Sequence, residues 1–280
     1  MKSFTADTSD AAHARYLGNI RAMSPAARLA AAADLSQRAL AQALWVISRQ
    51  RPELDTQEAR LILLGRLYGH DVERHVRSLP PPTGGDGAMH GSLYDVIAPV
   101  IAVLEELDLA HYIGGSVASI TYGIPRSTMD VDIVVQLKRR DVPVFVQRLT
   151  PHFYVDAEAI REAISNSSSF NLIPMHGALK IDVFIPPKTP FTASVFGRVA
   201  YVPIAPDAPR PYCLPTAEDI ILLKLQWYVL GNKVSNNQRN DILGVLQTQA
   251  DQLDLGYLRR WAAFLTVSDV FTELCAAAGM

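Results

Sequence analysis

The chain has 280 residues, of which 49% are hydrophobic and 19% charged, and its formal net charge is -2. This near-neutral balance excludes a globally basic nucleic-acid binder, although it leaves room for a local basic groove. No apolar run approaches the roughly 20 residues needed to span a bilayer, and Cys213 and Cys275 show no metal-ligand spacing. We therefore expect a cytoplasmic protein with one large domain or two modest ones.

The first 80 residues are predicted to be mainly helical. The chain begins polar, and residues 1–23 are expected to be partly frayed. Ser24 and Pro25 form a helix start, in which a capping hydroxyl precedes a proline at the first helical position, and Thr56 is expected to cap the next helix. These helices predict an N-terminal subdomain over residues 1–80, whose apolar faces either bury within the protein or dock a partner.

A run of prolines and glycines follows this region and has the composition of a linker. We place the linker at residues 81–91, the catalytic part at 92–212 and a C-terminal helical bundle at 213–280. Alternating segments between helical ones in the catalytic part predict an α/β (α+β) fold with a small mixed sheet, to which residues 199–204 add an edge strand.

The segment from Gly114 to Asp132 carries the first chemical signal. Gly114, Gly115 and Ser116 open a short apolar helix, whose backbone N–H groups and positive end suit a phosphate. A strand then begins with Asp130 and Asp132, which alternation places on the same face. Because neighbouring carboxylates repel unless a cation lies between them, this segment predicts both a phosphate cradle and a seat for Mg²⁺ or Mn²⁺.

A second alternating strand, at residues 179–185, supplies a third carboxylate. Its polar face carries Lys180 and Asp182. If it pairs with the strand of Asp130 and Asp132, the three aspartates complete a triad for two metal ions. Two ions can stabilise both the attacking and the leaving oxygen of a displacement at phosphorus.

This order of a Gly-Gly-Ser helix start, an Asp-x-Asp strand and a later acidic strand resembles the nucleotidyltransferase superfamily that includes DNA polymerase beta. Within it, the chain is more similar to the AbiEii-like nucleotidyltransferases, which are often toxins of toxin–antitoxin pairs. Their helical half carries a Glu-x-x-x-x-x-Lys-Leu segment, matched here by residues 218–225, and an Arg-x-Asp segment, matched by residues 239–241. A further Asp that is usual in that family is replaced here by Gly244. The resemblance covers roughly residues 92–274.

The resemblance implies an NTP substrate, an RNA or tRNA 3′ end as acceptor, and toxin-like action. Catalysis would use two metal ions at the three aspartates, and Lys224 would hold the triphosphate or the incoming acceptor. If an antitoxin or another protein partner exists, the N-terminal helices are its expected docking surface, and no membrane is expected to be involved.

Three other side chains have two interpretations each. Arg126 follows a proline in a turn, and it either neutralises charge on a triphosphate or pairs with a surface carboxylate. Asp241 either lies in the nucleotide site, where it orders Lys224 or Arg239, or is an acid on a helix surface. Trp227 is expected in the core between the C-terminal helices, with base stacking as the alternative.

Two other functions are compatible with the same residues. A small-molecule acceptor, such as an aminoglycoside, is mildly favoured by the near-neutral charge, because RNA binding depends on basic surface. A catalytically silent module would keep the metal site and bind NTP without turnover, with a partner docked on the N-terminal helices.

Overall fold

The computed structural model describes residues 9–78, 93–175, 179–205 and 210–280, so the predicted linker at 81–91 lies outside the described residues. The N-terminal part is helical, as the sequence predicts. Its helices are α1 (Asp10–Ala22), α2 (Pro25–Gln50), α3 (Thr56–Tyr68) and α4 (His70–Ser78).

The middle part alternates strands with helices, and the last part is helical. The middle elements are α5 (Leu93–Glu106), β1 (His111–Ile113), α6 (Gly115–Tyr122), β2 (Asp130–Val135), α7 (Val142–Leu149), β3 (Phe153–Tyr154), α8 (Ala157–Asn166), β4 (Ser169–Pro174), β5 (Lys180–Phe184), α9 (Pro190–Gly197), β6 (Ala200–Val202) and β7 (Tyr212–Leu214). The last elements are α10 (Ala217–Leu230), α11 (Asn236–Gln249), α12 (Leu255–Phe264) and α13 (Ser268–Ala278). The predicted mixed α/β fold is confirmed, and none of the described helices combines the length and the apolar character that a bilayer crossing requires.

The main sheet of the described residues has five strands in the order β1-β2-β5-β4-β3. Strands β2 and β5 are parallel neighbours, and the other neighbouring strands are antiparallel. The chain passes from β2 to β5 through α7, β3, α8 and β4. Apolar residues of β2 and β5 alternate into the core, so the polar residues of both strands share the opposite face.

One predicted strand has a different partner from the one expected. The sequence predicts that residues 199–204 add an edge to the main sheet. Instead, β6 pairs with β7 in a separate two-stranded ribbon. Alternation can identify a strand, but it does not identify the partner, which here is a segment that follows in the chain.

Helix α1 occupies most of the described part of residues 1–23, which the sequence predicts to be partly frayed, while residues 1–8 lie outside the described residues. Ser9 caps this helix, and Leu17 is buried. Arg21 donates from Nη2 to the backbone carbonyl of Gln247 in α11 at 2.6 Å. A polar segment therefore folds here because a helix from the far end of the chain provides its partner.

The sequence predicts the N-cap of α2 correctly and the N-cap of α3 wrongly. Ser24 caps α2 and Pro25 occupies its first turn, as predicted. The cap of α3 is Asp55, whose carboxylate accepts the N–H of Glu58, rather than Thr56. Asp and Thr are both good caps, so the sequence alone does not show which of the adjacent residues Asp55 and Thr56 caps the helix. The backbone conformation decides it.

The N-terminal helices share the core of the sheet-containing part. Leu29 and Ala32, in the first half of α2, belong to the main hydrophobic cluster together with α5, α6 and the apolar face of the sheet. The second half of α2 packs against α3 in a smaller cluster that includes Leu40, Ile47 and Leu63. These apolar side chains bury against their own chain, while the division of the chain into domains stays a prediction.

A buried hydroxyl joins α2 to the segment that leads into β2. Ser36 Oγ donates to the carbonyl of Ala32 and accepts the backbone N–H of Thr128, both at 2.9 Å. Thr128 in turn donates from Oγ1 to the carboxylate of Asp130 at 2.8 Å. Helix α2 therefore fixes the turn that positions the first carboxylate of β2.

Replacing Ser36 with alanine should leave the Thr128 N–H without its acceptor. An unsatisfied buried donor costs about 1–3 kcal/mol, so we expect Ser36→Ala to lower the free energy of unfolding by about that amount in urea denaturation. Ser165→Ala, which changes an exposed serine of α8, is the matched control and should stay within about 0.5 kcal/mol of wild type. Equal stability of the Ser36 variant and wild type would contradict this role.

Candidate active site

Three aspartates lie on the polar face of the parallel strands β2 and β5. In the register of the two strands, Asp132 is directly opposite Asp182, and Asp130 is opposite Lys180. The residues between them, such as Val131, are fully buried on the other face. The strands thus bring the three carboxylates to one face, as the sequence predicts.

Each carboxylate has its own partner in this structure. The partners are the Thr128 hydroxyl for Asp130 at 2.8 Å, the Ser116 N–H for Asp132, and Lys180 Nζ for Oδ1 of Asp182 at 2.8 Å. Within the described ranges, no three His, Cys, Asp or Glu side chains already lie in a geometry that could hold a metal ion.

Burial and the repulsion of neighbouring charges disfavour the ionised forms of Asp132 and Asp182. Burial, and then the charges of Asp130 and Asp182, raise the pKa of Asp132 to about 6, against the opposing effect of Lys224. Burial also raises the pKa of Asp182, although the hydrogen bond from Lys180 opposes the shift. Carboxylate oxygens whose charges repel are the donor set that Mg²⁺ and Mn²⁺ prefer. By their chemistry, these residues fit a divalent cation.

The backbone at the start of α6 packs closely against Asp132 of β2. Gly115 has a φ of +50°, and a Cβ at this position would lie 1.4 Å from Oδ2 of Asp132. The Gly114 N–H donates to the carbonyl of Asp132 at 2.8 Å, and the Ser116 N–H donates to its carboxylate. The positive end of α6 therefore faces a carboxylate in this structure. Phosphate binding by Gly114, Gly115 and Ser116 stays a prediction.

The buried carboxylate of Asp241, in α11, pairs with two positively charged side chains. Arg126 donates to both oxygens of Asp241, from Nε at 2.7 Å and from Nη2 at 2.8 Å. Lys224 Nζ, from α10, lies 2.8 Å from Oδ2 of the same carboxylate. Asp241 therefore pairs with Lys224, which was one of the expected alternatives, and with Arg126 rather than Arg239. The carboxylate that pairs with Arg126 is buried and not on the surface.

These ion pairs keep Asp241 ionised. Burial alone would raise the pKa of its carboxyl, but the hydrogen bond from Arg126 and the charges of Lys224 and Arg126 outweigh burial and hold the pKa below its usual range. Lys224 is itself only 5% exposed, and a buried lysine is costly without such a partner. The role of Asp241 in this structure is to position the two cations.

Two further polar side chains complete the network around Asp241. Ser119 donates to Oδ2 of Asp241 at 3.1 Å, and Gln238 accepts from the lysine Nζ at 3.1 Å. Arg126 also donates to the Ser116 hydroxyl at 2.7 Å, which ties the network to the glycine helix start. Ser119 lies one helical turn after Ser116, so helical spacing is the signal that could have placed it beside the site.

Tyr68, the last residue of α3, reaches this site from the N-terminal part. Its hydroxyl donates to the carbonyl of Met129 at 2.9 Å, and Lys180 Nζ lies 5.8 Å from the centre of its ring. Burial, and then the charge of Asp130, raise the pKa of its phenol. No pattern in the sequence links Tyr68 to the aspartates, because the contact arises only from the way α3 packs.

Trp227 does not lie in the core, where the sequence predicts it. It is 54% exposed, and its ring meets that of Phe184 at a centroid distance of 6.1 Å and an angle of 64°. Phe184 shares the face of β5 with Asp182, two residues before it, and Trp227 follows Lys224 by one turn of α10. The prediction is wrong because α10 is apolar on every side, so its pattern does not show which face is exposed.

The glycine that replaces an expected aspartate, Gly244, has a packing reason. A Cβ at Gly244 would lie 3.3 Å from the backbone N of Ile124, and one at Gly123 would lie 3.0 Å from the N of Val245. The backbone of α11 and the turn after α6 therefore approach closely at this point. An aspartate at position 244 would force them apart.

Comparison with known proteins adds two solved structures of low similarity. No protein-family model and no curated protein matches the chain. The chain is similar to the solution structure of the antibiotic-resistance factor ANT(2'')-Ia, with 16% identity, a TM-score of 0.37, and coverage of 65% of this chain and 92% of that one. It is also similar to the crystal structure of an antigenic nucleotidyltransferase-like protein from Paracoccidioides brasiliensis, with 15% identity, a TM-score of 0.40 and the same two coverages. At TM-scores this low, neither likeness carries an argument about function.

Asp241→Asn should remove the negative charge between two cations. Breaking a buried pair costs roughly 3–5 kcal/mol, so the free energy of unfolding at neutral pH should fall by about that amount. Because the folded-state pKa of Asp241 lies below its unfolded value, its contribution is present above the unfolded pKa, near about 4, and is lost as the pH falls through the folded pKa.

The measurement is chemical denaturation of wild type and Asp241→Asn from about pH 6 to about pH 3, where the difference in stability should shrink. Asp251→Asn, which changes an exposed acid just after α11, controls for the loss of one charge. A difference that stays constant over this range would contradict an ionised, paired Asp241.

Asp132→Asn should stabilise the protein in the absence of divalent ions. The folded-state pKa of Asp132, about 6, lies above its unfolded value near about 4, so ionisation weakens the fold as the pH rises through this window. At about pH 8 we expect the variant to be more stable than wild type by about 1–2 kcal/mol, measured by thermal unfolding.

Mg²⁺ or Mn²⁺ should narrow this gap, because a cation that binds the folded wild type stabilises it by mass action. Glu53→Gln, at an exposed position between α2 and α3, is the control and should respond to the ions as wild type does. A wild-type melting temperature that neither ion changes would count against cation binding by these aspartates.

Proposed function

We propose that this chain is a metal-dependent nucleotidyltransferase, which moves a nucleoside monophosphate from an NTP to an acceptor hydroxyl. The observation that carries this proposal is the placement of Asp132 opposite Asp182, with Asp130 on the same face. The glycine-rich start of α6 lies next to these carboxylates, and so do Lys224 and Arg126, which both pair with Asp241. Such a transfer requires, within one site, carboxylates that bind a divalent metal ion and positively charged side chains that bind phosphate.

The proposed reaction forms a bond between the acceptor oxygen and the α-phosphorus and breaks the bond from that phosphorus to the departing pyrophosphate. One or two divalent cations, held by Asp130, Asp132 and Asp182, would supply charge neutralisation on the phosphate oxygens. Asp182, whose pKa is raised by burial, would accept the proton of the acceptor hydroxyl. The remaining catalysis would come from positioning and electrostatics.

Positive charge for the triphosphate comes from Lys224 and Arg126. Two cations paired with the single carboxylate of Asp241 leave a net positive charge beside the aspartates. When Asp132 turns toward a cation, the Ser116 N–H at the start of α6 becomes free for a phosphate oxygen. The triphosphate would then lie beside Ser116, Lys224 and Arg126, and the hydrogen bond from Arg126 to Ser116 supports their acting together.

For the acceptor, we propose an RNA, with a tRNA 3′ end as the specific form, and toxin-like action. The support is the AbiEii-like resemblance of residues 218–225 and 239–241, whose Lys224 and Asp241 form one buried ion pair in the folded chain. An antitoxin or other protein partner is proposed for the N-terminal helices, where α2 leaves Leu35 and Trp45 exposed.

A small-molecule acceptor of the antibiotic type is the second candidate. The net charge of -2 favours it, since RNA binding depends on basic surface. The third candidate is a silent module that binds NTP without turnover, for which the separate partners of the three carboxylates are the supporting observation.

The test is transfer of label from an α-labelled NTP. Purified protein is incubated with Mg²⁺, each of the four NTPs in turn, and either total bacterial RNA or a panel of aminoglycosides. We expect label in RNA with wild type, and a rate lower by roughly 100-fold or more in the double variant Asp130→Ala/Asp132→Ala. Glu53→Ala, which removes an exposed acid away from these strands, should transfer label as wild type does.

Each outcome distinguishes one candidate from the others. Label in an aminoglycoside alone would replace the RNA acceptor with a small molecule. NTP binding without any transfer would support the silent module. If wild type neither binds NTP nor transfers label, or if the double variant is as active as wild type, the proposed active site is wrong.

A further inference from the structure

Two side chains of helix α10 reach the polar face of the main sheet. Lys224 is close enough to Asp132 in β2 to oppose the rise in its pKa. One turn later, Trp227 meets Phe184 of β5. Phe184 is two residues beyond Asp182 on the same strand face, a distance of about 7 Å along the strand. The aromatic pair therefore adjoins both the carboxylates and the buried lysine.

A second exposed tryptophan, Trp45, has different contacts from those of Trp227. Trp45 in α2 is 60% exposed, and its ring contacts Arg49 of its own helix at 5.3 Å. Scattered exposed aromatic residues of this kind are common on protein surfaces. Trp227, by contrast, contacts a side chain from the strand of Asp182 and belongs to the helix of Lys224. Both elements of this contact also supply groups of the candidate active site.

An exposed apolar side chain lies beyond Trp227 on the same helix. Leu230, one further turn along α10, is 72% exposed and shares a helix face with Trp227. The charged groups lie in the other direction, at Lys224 and the aspartates. The site thus has a polar end, which suits phosphate, and an apolar aromatic end, which suits a flat ring.

We propose that Trp227 and Phe184 form a stacking platform for a nucleobase, either the base of the NTP or that of the terminal nucleotide of an acceptor RNA. This inference rests on the proposed nucleotidyl transfer and adds the contact that recognises the base. Every base has a π-face, so an indole ring supplies affinity without a strong preference among the four bases. Phe184 holds the indole by edge-to-face packing, which leaves indole surface accessible.

The experiment compares Trp227→Ala and Trp227→Phe with Trp45→Ala, the matched exposed control. Isothermal titration calorimetry with Mg²⁺ gives the Kd of ATP, CTP, GTP, UTP and inorganic tripolyphosphate, which has no base. Label transfer into total bacterial RNA gives the KM for the acceptor. Circular dichroism melts show whether each variant folds, and the phenylalanine variant keeps a ring if the alanine variant does not fold.

If the platform holds the base of the NTP, Trp227→Ala should weaken all four NTPs by about 5- to 150-fold and leave the Kd of tripolyphosphate unchanged. If it holds the acceptor base, the Kd of NTP should stay unchanged while the KM for RNA rises by a similar factor. In both cases Trp227→Phe should lie between wild type and Trp227→Ala, and Trp45→Ala should match wild type.

Three results would overturn the platform. The first is a Trp227→Ala protein that matches wild type in both the Kd of NTP and the KM for RNA, while wild type transfers label; the proposed function then stands and the platform fails alone. The second is equal weakening of tripolyphosphate and NTP, which would mean a general structural effect. The third is a wild-type dimer that Trp227→Ala converts to a monomer with unchanged Kd and KM, which would make this surface a protein interface. A wild type that binds no NTP would remove the proposed function and the platform together.

Discussion

The buried ion pairs of Asp241 hold together elements that are far apart in the chain. Its carboxylate accepts from Arg126 in the turn before β2, from Lys224 in α10 and from Ser119 in α6. Loss of the acid would leave the buried Lys224 without its ion pair, and loss of both Lys224 and Arg126 would leave a buried carboxylate unpaired. The C-terminal helices are therefore part of the candidate active site. The order of this site and the stability of the fold depend on the same contacts.

The N-terminal helices also support β2. Ser36 of α2 holds the backbone of Thr128, and the hydroxyl of Tyr68 at the end of α3 holds the carbonyl of Met129. Both contacts act on the residues directly before Asp130. The two ends of the chain thus meet at the strand that carries the first two carboxylates, and helices with no chemical motif of their own still determine where those carboxylates lie.

The sequence was sufficient for whatever depends on local spacing. The period of a strand decides the face of Asp130, Asp132 and Asp182 without knowledge of any partner. The opposition of Asp132 and Asp182 could only be a hypothesis, because the register between β2 and β5 depends on the elements that separate them in the chain. The pairing of Arg126 with Asp241 has no local signal at all, and an apolar helix such as α10 gives no sign of which residues stay exposed.

The contact between Gly115 and Asp132 restricts which residues can evolve at position 115. A methyl group at position 115 needs the space that the carboxylate of Asp132 occupies. A relative that keeps the acid cannot gain a side chain at 115 in this backbone conformation, and a relative that has lost the carboxylate still meets the Cβ of residue 132 at 2.8 Å. A side chain at position 115 would therefore mark relatives in which the backbone before α6 has moved away from β2, and with it the contact between this helix start and the carboxylate.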